Sequence, residues 1–348
     1  MLPAATSPVS ALDRALIDVD EGHALWRANV LDESGNGVAL TWGFGHPLAS
    51  PLAQGPLAAC ASFSVLVFAQ GAPSFWLHQL YPASEGRWHE PAGRWQFGST
   101  QIEAFRDLKA QVVIVRVDCA LPGTRDRLSG IVEMGGVPRR VEKGTQDMPA
   151  STSDWSPLMG FGEGRAILQA GRNNHFHLQG RAYHERFGSS ESLFEHAQFT
   201  GSGHLPFADR DLSFRFALDA TGHGEAVGLE VDTEGRSKSL LSLRAQASGL
   251  PGNVESLTLW QGDEKWLEAK TEHLIHERGS ERHLLMRGRA SMALPALGLV
   301  EWQNQHVDAR AQARKFVHHM ATRSSLRTRL ESGPSRNRWQ RGLRWWVR

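Results

Sequence analysis

Residues 183–186 place a phenol, an imidazole, a carboxyl and a guanidinium in consecutive positions, within the segment QGRAYHERFG (179–188). Tyr183 is one of only two tyrosines in the chain. Side chains of these types transfer protons when a protein holds them together and restricts the access of water. The segment is therefore the first candidate for acid–base chemistry.

The residues around this segment alternate in polarity as a β-strand would. One face would carry His175, His177, Gln179, Arg181, Tyr183 and Glu185, and the other Phe176, Leu178, Gly180, Ala182 and His184. In one interpretation the polar face is simply solvated. In the other it lines a cavity, where Glu185 and Tyr183 act as acid or base. A bulge at Gly180 would exchange the two faces midway.

A metal site is a further reading of the same strand. His175, His177 and Glu185 offer two imidazoles and a carboxylate, which could hold iron or zinc. The carboxylate follows the second histidine by eight positions, a spacing that supports such a site poorly. The glycines of GFGEGRA (160–166) have no lysine after them and no strand–loop–helix context for a nucleotide. We predict neither a metal nor a cofactor.

Composition bounds the class of protein. The 348 residues are 41% hydrophobic and 22% charged with a formal net charge of +1, so nothing in the charge favours nucleic acid. Two cysteines, Cys60 and Cys119, make no disulfide framework and fit a reducing compartment. The first 23 residues, MLPAATSPVSALDRALIDVDEGH, lack the pattern of a signal peptide or membrane span. We expect a cytoplasmic protein whose partner is a small molecule or another protein.

Short runs of alternating, β-branched and aromatic residues, separated by turn residues, predict an all-β chain. Two halves of many short strands indicate two β-barrels, or strongly bent sandwiches, side by side. Residues 142–160, rich in Ser, Thr, Gly and Pro, are predicted to form a long loop between them. The predicted divisions are a lead-in (1–19), an N-terminal domain (20–190), a C-terminal domain (191–322) and a basic tail (323–348).

The end of the chain has a different pattern. Residues 308–330, DARAQARKFVHHMATRSSLRTRL, predict the one helix. Residues 323–348 carry eight arginines against one glutamate and close with WQRGLRWWVR. This tail is either disordered or an interfacial segment that contacts the inner membrane face peripherally.

Aromatic residues are numerous, with twelve Trp and fifteen Phe. Any single one is expected to pack in a core or at a strand edge. Together they could line an apolar cavity whose ring faces stabilise a cationic intermediate.

A series of landmarks along residues 20–320 resembles the carotenoid 1,2-hydratases, also called hydroxyneurosporene synthases, whose lipocalin-like relatives cyclise terpenoids or guide cycloadditions. The landmarks are HALWRANVLDESGNGVALTWGFGHP, VVIVRVDCALPGTRDRLSGIVE, DWSP, LQGRAYHERFG and GLVEWQNQHVDARAQARKFVHH. The strongest is Gly180-Arg-Ala-Tyr183-His184-Glu185, which is similar to a Gly-x-x-Tyr-His-Asp signature. The resemblance implies two lipocalin-like barrels with an apolar substrate near the domain junction.

The resemblance also implies roles for single residues. In the hydratases, the tyrosine and the acid of the signature are implicated in protonating a terminal alkene, with an upstream His-x-Trp pair. The corresponding catalytic residues here are Tyr183, Glu185 and Trp155. We expect substrate contacts from His184, Phe187, Trp42, Phe44 and His177.

The chain departs from the family pattern at three places. Glu185 stands where the signature has Asp, which moves the acid outward by one methylene. Ser153 occupies the position of the upstream histidine, and Arg186-Phe187-Gly188 replaces an Asn-x-Gly.

The expected function is acid-catalysed protonation of an alkene in an apolar polyene or terpenoid, followed by hydration or cyclisation. Two alternatives stay open. A pericyclic cyclase would use Tyr183 or His184 to polarise a carbonyl. A non-catalytic carrier would only enclose a hydrophobic ligand, and this reading is favoured if Glu185 points to water.

Overall fold

The computed structural model describes residues 23–44, 61–72, 74–81, 86–89, 94–106, 109–121, 125–138, 140–141, 153–172, 174–189, 197–250, 253–278, 281–290, 293–304 and 327–332. Every regular element in these residues is a strand, which confirms the all-β prediction. The strands are β1 (His23–Leu31), β2 (Gly37–Phe44), β3 (Ala61–Phe68), β4 (Phe75–Tyr81), β5 (Gly86–His89), β6 (Arg94–Phe97), β7 (Thr100–Arg106), β8 (Gln111–Ala120), β9 (Arg127–Pro138), β10 (Arg140–Val141), β11 (Ser153–Pro157), β12 (Met159–Ala170), β13 (Asn174–Ser189), β14 (Phe199–Pro206), β15 (Arg210–Leu218), β16 (His223–Asp232), β17 (Arg236–Ser248), β18 (Ser256–Gln261), β19 (Glu264–Arg278), β20 (Glu281–Ala290), β21 (Ala296–Asn304) and β22 (Arg327–Ser332).

Within the described ranges, the first sheet has thirteen strands and curls on itself. Its order is β22-β4-β3-β2-β1-β13-β12-β9-β8-β7-β6-β5, and β11 pairs with β13 beside this path. The curl brings β5 against β3, since a side chain on Gly86 would place its Cβ 2.0 Å from the Cβ of Ala61. The sheet therefore encloses an interior, as a barrel does.

Alternating residues of each strand fill this interior. In β8, for example, Val113, Val115, Val117 and Cys119 are buried, and the residues between them are more exposed. The largest interior side chains are Trp26, Trp42, Trp95, Phe63 and Phe97. This packed interior fixes the strands that carry the candidate site.

The second sheet has nine strands among the residues that the structure describes, in the order β10-β17-β16-β15-β14-β21-β20-β19-β18. A further pairing of β17 with β18 closes eight of them into a barrel around a core that includes Phe199, Phe214 and Trp302. The curled sheet and the closed barrel together confirm the prediction of two lipocalin-like barrels.

The chain divides into two compact units. Unit 1 comprises residues 1–138, 152–192 and 316–348, and unit 2 comprises residues 139–151 and 193–315. After β9 the chain thus contributes β10 to the second sheet and then returns to the first sheet with β11.

The predicted loop at 142–160 is wrong in its last part. Residues Ser153–Pro157 form β11, and Met159 begins β12. The Ser, Asp and Pro content of this stretch resembles a loop, but its backbone pairs with β13 and the Trp155 side chain is buried. Tertiary pairing overrides the local propensity here.

The helix predicted over residues 308–330 lies mostly outside the described residues. Its last four residues, Arg327–Leu330, belong to β22, which pairs antiparallel with β4. The tail predicted from residue 323 therefore contains an edge strand, and residues 333–348 lie outside the described part. In the portion of the chain that the structure covers, no helix has the length and hydropathy to cross a membrane.

Candidate active site

The site is positioned by β13, a strand of 16 residues. Its first half, as far as Ala182, pairs with β12, and its second half, from Arg181 onward, pairs with β1. Where the pairing with β12 stops, β11 takes its place and pairs with β13 over Glu185–Ser189. Residues 185–189 are therefore held between two strands.

Burial changes abruptly along β13. His175, His177 and Gln179 are exposed, whereas every residue from Ala182 to Gly188 is buried. The first half is thus an ordinary amphipathic strand with a solvated polar face. In the second half both faces are covered, so the polar side chains there are shielded from solvent.

Gly180 does not exchange the faces of the strand. The register of β13 with β12 runs through it without a shift, and the pairing with β1 begins at the next residue, Arg181. A Cβ at Gly180 would lie 2.2 Å from the carbonyl oxygen of Leu31. The glycine is required because the end of β1 approaches the strand closely at this point.

The carboxyl of Glu185 is the centre of the site. Only 3% of the residue is exposed. Its Oε2 accepts hydrogen bonds from the Trp155 indole Nε1–H at 2.7 Å and from the Tyr183 hydroxyl at 2.9 Å. Trp155 reaches Glu185 because it lies opposite Phe187 in the β11–β13 pairing, and so projects from the same face.

Arg27 completes the surroundings of Glu185. It lies directly opposite Glu185 in the pairing of β1 with β13, and its Nη1 is 3.5 Å from Oε1. No sequence motif predicts this contact; its one signal is a guanidinium inside the otherwise mainly apolar strand HALWRANVL. The two carboxyl oxygens therefore differ, with Oε2 anchored by two donors and Oε1 facing a cation.

This arrangement suits a carboxyl that gives up a proton. A proton on Glu185 would sit on Oε1, because Oε2 is occupied as an acceptor. The carboxylate left after transfer would be stabilised by Trp155, Tyr183 and Arg27, without any reorganisation of water.

His184 lies on the other face of β13, inside the first barrel. It is fully buried, and its ring stacks on Trp42 at a centroid distance of 5.6 Å and an interplanar angle of 15°. Burial lowers the pKa of His184 from 6.5 to about 3, so the imidazole is neutral. Trp42 belongs to the interior cluster, and Phe44 packs against it.

The catalytic and substrate-contact residues expected from the sequence lie on two different faces of the sheet. Strand alternation places Glu185, Tyr183 and Phe187 on one face, and His184, Trp42 and Phe44 on the opposite one.

Of the remaining residues expected to contact substrate, one lies beside Glu185 and one lies far from it. Phe187 is buried on the Glu185 face, with its ring 5.0 Å from that of His23. His177 is exposed and eight residues before Glu185, which is about 26 Å along the strand.

A strained bulge lies where β12 begins. Phe161 has a φ of 46°, the one positive value recorded for a residue other than glycine in the described ranges, and the β9–β12 register shifts between Gly160 and Glu163. The guanidinium of Arg181 stacks over the Phe161 ring at 4.7 Å. Arg181 lies two residues before Tyr183 on the same face of β13, so this stacked pair is next to the site.

Metal ligation has no support among the residues that the structure covers. They contain no group of three or more His, Cys, Asp or Glu side chains placed to hold an ion. His175 and His177 lie on the exposed half of β13, far from Glu185.

Comparison with known proteins yields structural neighbours only. No protein family matches the chain, and no curated protein does. A crystal structure of CghA superposes with a TM-score of 0.58 at 9% identity, covering 82% of this chain and 88% of that one. The chain shares its fold with CghA.

Two further solved structures are similar to the chain. CghA crystallised with Sch210972 gives a TM-score of 0.50 at 9% identity, covering 82% of this chain and 89% of that one. Kievitone hydratase from Nectria haematococca gives 0.37 at 8% identity, covering 86% and 94%. At such identities the similarity concerns the fold alone.

Proposed function

We propose that the protein is an enzyme that protonates an alkene of an apolar polyene or terpenoid, and that Glu185 delivers the proton. The observation that carries the proposal is a buried carboxyl whose Oε2 is anchored by Tyr183 and Trp155. An alkene is a weak base, so its protonation needs an acid whose conjugate base is stabilised in place. The donors and the Arg27 guanidinium provide that stabilisation.

The reaction begins with transfer of the proton from Glu185 Oε1 to one alkene carbon. The π electrons form the new C–H bond, and the other carbon becomes a cation. Burial of Glu185 limits the water near this cation, and the ring faces of Phe187 and Trp155, on the same side of the sheet, can stabilise it.

The cation then has two fates, and each regenerates the acid. Attack by a water molecule forms a C–O bond, and the proton lost from the oxygen returns to the Glu185 carboxylate; the net reaction is hydration. Attack by a second double bond forms a C–C bond and leaves a new cation on the other carbon of that double bond. Transfer of a proton from an adjacent carbon to the Glu185 carboxylate then converts the broken C–H bond into a C=C bond and gives a cyclic isomer.

The two alternatives fit the geometry less well. A pericyclic cyclase needs a donor directed at the substrate, but Tyr183 donates its hydroxyl to Glu185 and His184 lies on the other face of the sheet. A carrier needs an apolar enclosure and gains nothing from a buried carboxyl, which costs desolvation energy. The CghA structure with Sch210972 supports the coarser idea that this fold accommodates small molecules.

The test of the proposed function is the variant Glu185→Gln, assayed on linear polyenes and terpenes that include lycopene and squalene. The amide keeps the shape of the side chain and its acceptor oxygen but cannot supply the proton. We expect turnover to fall by about 10²–10⁴-fold, the usual contribution of a general acid. Mass spectrometry would detect the hydrated or isomerised product.

Glu133→Gln is the matched control, because Glu133 is a partly exposed glutamate of the same sheet that pairs with Arg165. It should retain wild-type turnover, and both variants should keep the wild-type circular dichroism spectrum. Retained turnover in Glu185→Gln would exclude acid catalysis by this residue.

A further inference from the structure

The interior of the first barrel contains buried polar atoms that the described part of the chain leaves without hydrogen bonds. They are both ring nitrogens of His184 and the indole Nε1 of Trp26 and of Trp42. All three residues have no exposed surface. An unsatisfied buried donor or acceptor costs about 1–3 kcal/mol, so clusters of them are rare in folded proteins.

The three residues are neighbours on one face of the sheet. Trp26 lies directly opposite Trp42 in the pairing of β1 with β2. His184 lies opposite Ala28 on the other side of β1, which places it diagonal to Trp26, and its ring stacks on Trp42. The three side chains therefore lie side by side, and we refer to them as the His184 cluster.

Another polar group in the same interior is satisfied within the chain. The Tyr81 hydroxyl donates to Gln79 Oε1, and Gln79 Nε2 donates to the carbonyl of Ala120 at 3.3 Å. Thr100 Oγ1 accepts from the amide of Asp118 at 3.0 Å. The first barrel can thus pair interior polar groups within the chain, but among the described residues it does not pair those of the His184 cluster.

The chemistry of the cluster defines what would complete it. The pKa of His184, lowered to about 3 by burial, leaves a neutral ring with one N–H donor and one nitrogen acceptor. The two indoles add one donor each. Three donors and one acceptor among aromatic rings suit an oxygen that accepts hydrogen bonds and carries at most one or two protons.

We propose that the interior of the first barrel binds a neutral oxygen atom at His184, Trp26 and Trp42. The oxygen belongs either to ordered water or to the carbonyl or hydroxyl group of a small apolar ligand. This site is distinct from that of Glu185, because the two occupy opposite faces of the same strand. It does not depend on the reaction proposed above.

Crystal structures of the full chain, grown with and without acetophenone, test the proposal. We expect an oxygen about 2.7–3.2 Å from at least two of the four nitrogen atoms. Its presence in the ligand-free crystals identifies water. Its appearance only with acetophenone identifies a ligand site. The absence of an oxygen from both crystals would overturn the proposal.

The variant His184→Phe sharpens the test, since it keeps a ring to stack on Trp42 and removes both nitrogens. If the oxygen is water, crystals of the variant should lose it. If the oxygen comes from the ketone, the affinity for acetophenone should fall about tenfold, as expected for one lost hydrogen bond. The affinity for ethylbenzene, which lacks the oxygen, should stay within about twofold of wild type.

Two results would contradict the proposal. One is an unchanged oxygen in the variant, or equal weakening of acetophenone and ethylbenzene, which would indicate a change of shape alone. The other is tighter binding of benzoate than of acetophenone in the wild-type protein. That result would assign the site to an anion, since Arg186 shares this face.

Discussion

At the scale of single residues, the sequence predicted the pairing of Tyr183 with Glu185 because residues two apart on a strand share a face. It also led to Trp155 through the family resemblance. It could not predict Arg27, whose contact with Glu185 depends on the register of β1 against β13. Nor could the sequence show that Trp42 and Glu185 lie on opposite faces of the sheet, because periodicity does not reveal which strands lie side by side.

Removing one donor from Glu185 tests the anchored carboxyl. Tyr183→Phe keeps the ring and deletes the hydroxyl that bonds Oε2. We expect turnover to fall by about 10–100-fold and the free energy of unfolding by about 1 kcal/mol. Steady-state kinetics and urea unfolding measure the two effects separately. Unchanged turnover would show that the hydroxyl has no part in the reaction.

The neutral state of His184 predicts a pH dependence of stability. The unfolded chain takes up a proton near pH 6.5, whereas the folded protein does so only near pH 3, so acid favours unfolding between these values. Stability from this residue is complete above pH 6.5 and is lost as the pH falls toward 3. Between pH 7 and pH 5 the loss is about 2 kcal/mol.

Urea unfolding of the wild type and of His184→Phe at both pH values measures this loss. The variant should lose about 2 kcal/mol less than the wild type. Equal losses in the two proteins would mean that His184 is protonated in the fold.

At the scale of elements, the alternation of β13 was readable from the sequence, but the site depends on features that alternation does not encode. The exchange of β12 for β11 beside Glu185 was hidden in a stretch with the composition of a loop. The buried second half of β13 has the same alternation as its exposed first half. The strands that pair with β13, and not its local sequence pattern, decide which half of it is buried.

The close approach at Gly180 predicts a position-specific loss of stability. A Cβ there would meet the Leu31 carbonyl oxygen, a backbone atom that cannot move independently. We expect Gly180→Ala to destabilise the protein by about 2–4 kcal/mol, as overpacking against fixed backbone does.

Gly135→Ala in β9 is the matched control, because a Cβ there would have its nearest neighbour at 4.0 Å. It should change stability by no more than about 0.5 kcal/mol. Urea midpoints measure both variants, and equal effects would refute the steric account of Gly180.

At the scale of the whole molecule, composition and spacing predicted an all-β chain in two barrels. Short alternating strands with frequent turn residues leave few other architectures. Closure was beyond prediction, because the pairing of β14 with β21 and the approach of β5 to β3 join strands that are not neighbours in the sequence, without any local signal. The strand β22 was missed for the same reason, since β4 supplies the partner.

Membrane contact by the tail remains a prediction at this scale. Truncation after Ser332 keeps β22 and removes residues 333–348. The removed range includes the WQRGLRWWVR segment and five of the tail's eight arginines. The truncated protein should co-sediment less than the full chain with phosphatidylserine vesicles at low salt, and the difference should shrink at higher ionic strength. Equal sedimentation of the two proteins would remove the membrane role.

The most direct test of the account is solvent-isotope labelling during turnover of a linear polyene in D₂O. If Glu185 exchanges its proton with solvent and delivers it to the alkene, each product molecule gains one carbon-bound deuterium, and Glu185→Gln forms labelled product at least about 100-fold more slowly. A product that forms without solvent deuterium, or labelling that is unchanged in Glu185→Gln, would contradict the account.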